Sequence, residues 1–169
     1  MRINQEKLNI LIIFAISVSV NFYYGSIGVF PIDTFAFFDS ANSINKGLLP
    51  IRDYWTSNGF LVDLIQSVFF KFFGSNWKIY LLHSSLINFL LALTTYKFLI
   101  HEGLSKETSL LYSISVGILA YPSAGVPFPD HHSLILSIIA AYFFIFSFNK
   151  RSNLFLFLTI LFLFIAFLC

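Results

Sequence analysis

Residues 154–169 read LFLFLTILFLFIAFLC, a run with no charged side chain. An α-helix of about 20 apolar residues is what crosses the roughly 30 Å hydrocarbon core of a bilayer. Four other apolar stretches of this kind precede the run. The sequence therefore predicts about five spans, at residues 8–26, 78–100, 108–122, 131–148 and 153–169.

The composition supports lipid as the solvent. Of the 169 residues, 57% are hydrophobic and 11% are charged, whereas a soluble domain carries about 25% charged residues. So few charges cannot coat a water-soluble surface, but a bilayer requires an apolar exterior. We expect an all-α fold, a polytopic transmembrane helical bundle, with residues 1–169 in a single transmembrane domain. A net charge of +2 with basic residues scattered along the chain, Lys150 and Arg151 being the only adjacent pair, argues against nucleic-acid binding.

Basic residues predict the orientation. Short basic clusters fall in segments 1–7, 101–107 and 149–152, which places the N-terminus in the cytoplasm and residues 27–77 in a long first outer loop. The apolar run after Lys7 has no small-x-small cleavage site, which favours a retained first helix over a signal peptide. Because the chain stops inside an apolar stretch, we expect the N-terminal part of a longer protein.

Two interfacial helices are expected in the outer loop. In the first, the apolar positions Phe37, Ala41, Ile44 and Leu48 lie on one helical face. The second, Phe60 to Phe73, would extend only about 21 Å and is too short to cross. Asp39 and Asp63 are interpreted as solvated carboxylates on the polar faces of these helices.

Polar positions inside two spans suggest helix contacts. His83, with Ser84 and Asn88, is expected to form interhelical hydrogen bonds. Ser109, Ser113 and Gly117 recur at intervals of four, which is typical of close helix approach but also arises by chance in a Ser-rich segment.

Candidate chemistry lies at the outer face. Asp33 and Asp130 each stand where an irregular segment meets an apolar helix, a position where a carboxylate either functions or simply caps the helix. His131 and His132 follow and could hydrogen-bond a phosphate or a hydroxyl, although ordinary interfacial histidines are the alternative. Arg52 and Asp53 occupy a turn-like stretch after Pro50. The sequence contains neither G-x-S-x-G nor a Walker A motif.

Residues 31–74 resemble the first outer loop of GT-C-fold membrane glycosyltransferases, close to the protein O-mannosyltransferase and lipid A aminoarabinose transferase group (family 39-like). The matching positions are Asp33, Ala41, Gly47, the Pro50–Asp53 segment and the closing Phe72–Gly74. The resemblance extends over roughly residues 8–148. Thr34 stands where the second acid is usual, and Phe60 replaces a proline.

The resemblance implies an inverting enzyme of the bacterial cell envelope, embedded in the cytoplasmic membrane. Its donor would be a polyprenyl-phosphate sugar and its acceptor a hydroxyl on the outer face. Asp33 would be the general base. The substrate-binding residues would be Arg52, Asp53, Asp130, His131 and His132. Membrane lipid is the expected surrounding, no cofactor is required by the sequence, and metal dependence and protein partners stay open. The alternative is a non-catalytic membrane protein, such as a lipid-linked saccharide transporter or flippase subunit, or an assembly partner.

Overall fold

A computed structural model describes residues 5–28, 33–56, 59–120 and 125–169. Every regular element within them is an α-helix, which confirms the all-α prediction. The helices are α1 (Gln5–Ile27), α2 (Asp33–Asn45), α3 (Leu61–Phe73), α4 (Trp77–His101), α5 (Lys106–Leu119), α6 (Pro129–Lys150) and α7 (Asn153–Phe167).

Among the described residues, three helices are long and apolar enough to cross a membrane: α1, α4 and α6, with 23, 25 and 22 residues. The two other predicted spans form α5, with 14 residues, and α7, with 15. At 1.5 Å per residue, each of these extends only about 21–23 Å. A count of five spans therefore stays a prediction.

Local capping explains several boundaries. The side chain of Asn76 accepts from the Ile79 amide where α4 begins, and Ser105 does the same for Thr108 at α5. Pro129 opens α6, where its missing N–H removes no helical bond. Gly103, with φ of +89°, follows α4 in a conformation that glycine adopts without strain.

Helices α1 and α4 run in opposite directions, whereas α6 runs parallel to α4, with His132 beside His83 at one end and Asn149 beside Glu102 at the other. The Trp77 indole at the start of α4 donates to the Gly25 carbonyl near the end of α1, at 2.9 Å. At the other end of the same two helices, Lys97 pairs with Glu6. We call the end with Gly25 and Trp77 the loop end, because α2 and α3 pack there.

The buried side of α1 is rich in polar residues, although Ile13 is also buried there. Asn9, Ser17 and Asn21 are at most 3% exposed, whereas Leu11 is 61% exposed and Tyr23 is 66% exposed. This is the reverse of a helix on a water-soluble protein, where the apolar side faces the core. It is the expected arrangement when lipid surrounds the bundle, because polar groups then find partners only inside it.

The small-residue stripe of α5 is a helix contact. Ser109, Ser113 and Gly117 are all buried, which favours close approach over chance. A Cβ atom added at Gly117 would lie 2.4 Å from Ser17 Oγ on α1 and 3.2 Å from Ala92 Cβ on α4. Only a glycine lets the three backbones approach so closely at this position.

The two loop helices cover the loop end of the bundle. Phe38 on α2 packs edge-on against Phe70 on α3 and Tyr80 on α4, with ring centroids 4.7 Å and 5.3 Å away. The Tyr80 hydroxyl also donates to the Thr34 carbonyl at 2.9 Å. Both loop helices form as the sequence predicts, and their interfacial position stays a prediction.

Candidate active site

A cavity of about 270 Å³ opens between α2, the segment 54–56 and the start of α3. Two aspartates, two serines and three aromatic side chains contribute to its walls. The lining residues are Ala36, Phe37, Asp39, Ser40, Ser43, Tyr54, Trp55, Thr56 and Asp63. Small-molecule sites are concave, with a few convergent polar groups and volumes of about 300–1,000 Å³, so this cavity lies just below the usual size.

Asp63 is the buried acid of this cavity. Asp63 is only 1% exposed to solvent. The Ser40 hydroxyl donates to Asp63 Oδ2 at 2.5 Å, and Oδ1 has no hydrogen-bond partner among the described residues. Burial raises the pKa of Asp63 to about 6, although the Ser40 bond opposes the rise. The carboxyl therefore changes its charge close to neutral pH.

The expectation of a solvated Asp63 was wrong. The polar side of α3, with Asp63, Gln66 and Ser67, faces inward, while Val68 and Phe72 are 52% and 74% exposed. The physical reason is the supply of partners, because Ser40 on α2 and a histidine on α4 lie against that polar side. A helix that can satisfy its polar groups on neighbouring helices turns them toward the protein.

A chain of hydroxyl groups leads from Asp63 to Tyr54. Ser40 Oγ lies 2.8 Å from the Tyr54 hydroxyl and 2.5 Å from Asp63 Oδ2. Ser40 has a single hydroxyl proton, so the direction of the chain depends on the charge of Asp63. An ionised Asp63 accepts from Ser40, which accepts from Tyr54; a protonated Asp63 reverses both bonds. Burial raises the pKa of Tyr54, which keeps its hydroxyl protonated at neutral pH.

Arg52 and Asp53 form an exposed pair beside the cavity. The Arg52 guanidinium donates to both Asp53 carboxylate oxygens, at 2.9 and 2.7 Å, and the Leu49 amide adds a bond of 2.7 Å. These bonds lower the pKa of Asp53 to about 2, so it is ionised at neutral pH. The Arg52 side chain is 66% exposed, so its guanidinium can offer its outer edge to an anion at the surface.

Asp33 and Asp130 begin helices at the same end of the bundle. Asp33 is the first residue of α2, and its side chain lies outside the described part of the structure. Asp130 is exposed in the first turn of α6. The Phe37 ring on α2 packs on Phe128 just before α6, at 5.8 Å between centroids, so both helix starts lie at the loop end.

The two adjacent histidines have different surroundings. His131 is half-buried, with its ring 6.0 Å from that of Phe128. His132 is 0% exposed, and its Nε2 lies 3.2 Å from Nε2 of His83 on α4. The interhelical bonds predicted for His83 are present. In this conformation His132 faces the bundle interior rather than the cavity.

Sequence reasoning missed Asp63 and Ser40 as parts of one site. The available signal was the spacing of Asp63, Gln66 and Ser67, which share one side of an otherwise apolar helix. That spacing identifies a polar side, but Ser40 lies 23 residues away and on another helix.

The described residues contain no group of three or more His, Cys, Asp or Glu side chains placed to hold a metal ion. Comparisons of the chain with protein-family models, curated proteins and solved structures each find no match.

Proposed function

We propose that this chain is part of an integral membrane glycosyltransferase that moves a sugar from a polyprenyl-phosphate donor to an acceptor hydroxyl. The reaction would take place at the loop end, on the outer face of a bacterial cytoplasmic membrane. The observation that carries the proposal is the cavity with Asp63, a buried carboxyl with a pKa of about 6. This cavity is built from the same stretch, residues 31–74, that resembles the outer loop of GT-C enzymes.

The chemistry needs a base and a counter-charge. A carboxylate takes the proton of the acceptor hydroxyl as its oxygen bonds to the anomeric carbon, and the bond from that carbon to the phosphate oxygen breaks with inversion. The electron pair leaves with the lipid phosphate. Asp33 is the proposed base, on the strength of the resemblance, and the exposed edge of Arg52 can offset the phosphate charge.

Asp63 would be a second carboxyl for the same site. The resemblance lacks its usual second acid because Thr34 occupies that position. Asp63 borders the cavity from α3, and the Ser40–Tyr54 chain could return its proton to solvent. A base with a pKa near the working pH transfers protons most effectively.

The test is transfer of radiolabel from a polyprenyl-phosphate-linked hexose to protein or lipid acceptors in membranes that contain the protein. We expect Asp33→Asn to reduce transfer by about 100-fold or more, the usual contribution of a general base. Glu107→Gln, in the first turn of α5 at the opposite end, is the matched control and should keep full activity. Unchanged transfer by Asp33→Asn in well-folded protein would refute the base role. Donor binding without any transfer would favour a transporter subunit.

A further inference from the structure

Two buried histidines face each other between α4 and α6. His83 is 1% exposed and His132 is 0% exposed, and their Nε2 atoms are 3.2 Å apart. In each ring the other nitrogen, Nδ1, makes a second hydrogen bond. His83 Nδ1 lies 2.9 Å from Gln66 Oε1 on α3, and His132 Nδ1 lies 2.9 Å from the Phe128 carbonyl.

The contact with Phe128 determines the proton on His132. A carbonyl oxygen only accepts hydrogen bonds, so His132 Nδ1 must carry the hydrogen. A neutral imidazole has one N–H group, which leaves Nε2 of a neutral His132 as an acceptor. The hydrogen between the two rings must then come from His83.

The proton on His83 depends on Gln66. With Gln66 Oε1 against it, His83 Nδ1 must also carry a hydrogen, and two neutral rings would then face each other with bare Nε2 atoms. One additional proton between them removes this conflict and gives the pair one positive charge. If the Gln66 amide turns over, its NH₂ group donates to His83 Nδ1, His83 Nε2–H donates to His132, and the pair is neutral.

We propose that His83 and His132 form a buried proton-binding site that takes up a single proton, shared between their Nε2 atoms, with rotation of the Gln66 amide. The neutral and charged arrangements differ by one proton and one amide orientation. Both keep a single hydrogen on the line between the rings. Because Gln66 is on α3, proton uptake changes the bond that holds this loop helix to the bundle. The inference does not depend on sugar transfer.

A metal ion fits this place less well than a proton. Zinc in proteins takes about four ligands at roughly 2.0–2.3 Å. The described part of the chain supplies two imidazoles here and no third His, Cys, Asp or Glu ligand. Both rings are buried, at 1% and 0% exposure.

The helices that pack on the pair carry other titratable groups. The nearest in sequence is His131 on α6, and Asp63 lies one turn before Gln66 on α3. The titratable groups on the adjoining helix segments are Asp63 on α3, Lys78 and Tyr80 on α4, Asp130 and His131 on α6, and Cys169 after α7. The Phe69 ring, which is uncharged, stacks on His83 at 5.2 Å.

The experiment is nitrogen NMR of the protein in micelles, with ¹⁵N-labelled histidine, across a pH titration. The four histidines are the only labelled residues, and His83→Gln and His132→Gln assign the pair. We expect a nitrogen–nitrogen coupling between the Nε2 atoms of His83 and His132, and uptake of one proton by the two rings together.

Substitution at Gln66 distinguishes the proposed proton-binding site from a contact that does not respond to pH. Gln66→Glu places a carboxylate beside His83 Nδ1, so the midpoint of uptake should move to higher pH by about one unit or more. Gln66→Leu removes the acceptor and should move it to lower pH. His101→Gln, on an exposed histidine at the opposite end, should leave it unchanged.

Several results would overturn the proposal. They are the uptake of two protons by independent rings, the absence of the coupling in wild-type protein, and an unmoved midpoint in a folded Gln66→Glu variant. Stoichiometric zinc binding that removes the coupling would also overturn it.

Discussion

Replacement of Asp63 by asparagine should stabilise the protein above neutral pH. Burial raises the pKa of this carboxyl from 3.8 to about 6 in the folded state. Each unit corresponds to about 1.4 kcal/mol, so the ionised carboxylate opposes folding by up to about 3 kcal/mol. Asp63→Asn removes that charge and keeps an oxygen that can accept from Ser40.

The sign of the pH dependence follows from linkage. The folded state holds the Asp63 proton more tightly than the unfolded chain, so the proton stabilises the fold at low pH. This contribution is complete below about pH 4 and is lost as pH rises through about 6. The variant, neutral at every pH, does not lose it. We expect similar stabilities at pH 4 and a variant more stable by up to about 3 kcal/mol at pH 8.

The assay is unfolding in mixed micelles, followed by helical circular dichroism as the SDS mole fraction rises, at both pH values. Asp39→Asn is the matched control because Asp39 lines the same cavity but is exposed. It should change the free energy of unfolding by no more than about 0.5 kcal/mol at either pH. Ser40→Ala removes the donor to the carboxylate and should destabilise more at pH 8 than at pH 4. A difference between wild type and Asp63→Asn that is the same at both pH values would refute the reasoning.

Two further predictions concern topology and packing. The chain has one cysteine, so labelling is done in a Cys169→Ser background. A membrane-impermeant maleimide should label Trp55→Cys, at a site 84% exposed, from outside intact cells, and Lys150→Cys only after lysis. The opposite labelling pattern would reverse the orientation. Gly117→Ala should lower the free energy of unfolding by about 1–3 kcal/mol, because the new Cβ would clash with Ser17 Oγ and meet Ala92 Cβ at 3.2 Å. Gly28→Ala is the control, because a Cβ added at Gly28 meets no atom within 4 Å. If Gly117→Ala and wild type had equal stabilities, the helices would move apart at this position at no cost.

Helix positions followed closely from the sequence. The predicted spans 78–100 and 131–148 became Trp77–His101 and Pro129–Lys150, and the loop helix expected from Phe60 to Phe73 runs from Leu61 to Phe73. Capping residues, prolines and apolar runs act within a few positions of the chain, so they can be recognised without knowledge of the fold. The α5 stripe was visible for the same reason, as a regular spacing on one helix.

The candidate site was predicted less completely. The acids of the loop could be named, but the polar side of α3 that carries Asp63 was expected to face solvent, because the sequence shows a polar side without showing what meets it. Asp53 and Arg52 are neighbours in the chain, and their pairing is a local event. Ser40 and Asp63 are 23 residues apart, and their contact required α2 to fold back on α3.

The sequence by itself determined that the chain forms apolar helices with polar residues at intervals of three and four, because hydropathy and capping are sums over nearby residues. Only the tertiary structure decided which polar groups meet. His83 and His132 are 49 residues apart, and they share a hydrogen bond because α4 and α6 pack with these faces together. The charge of a buried group depends on the partners that packing supplies, and for that reason the proton chemistry of Asp63 and of the histidine pair is a property of the fold.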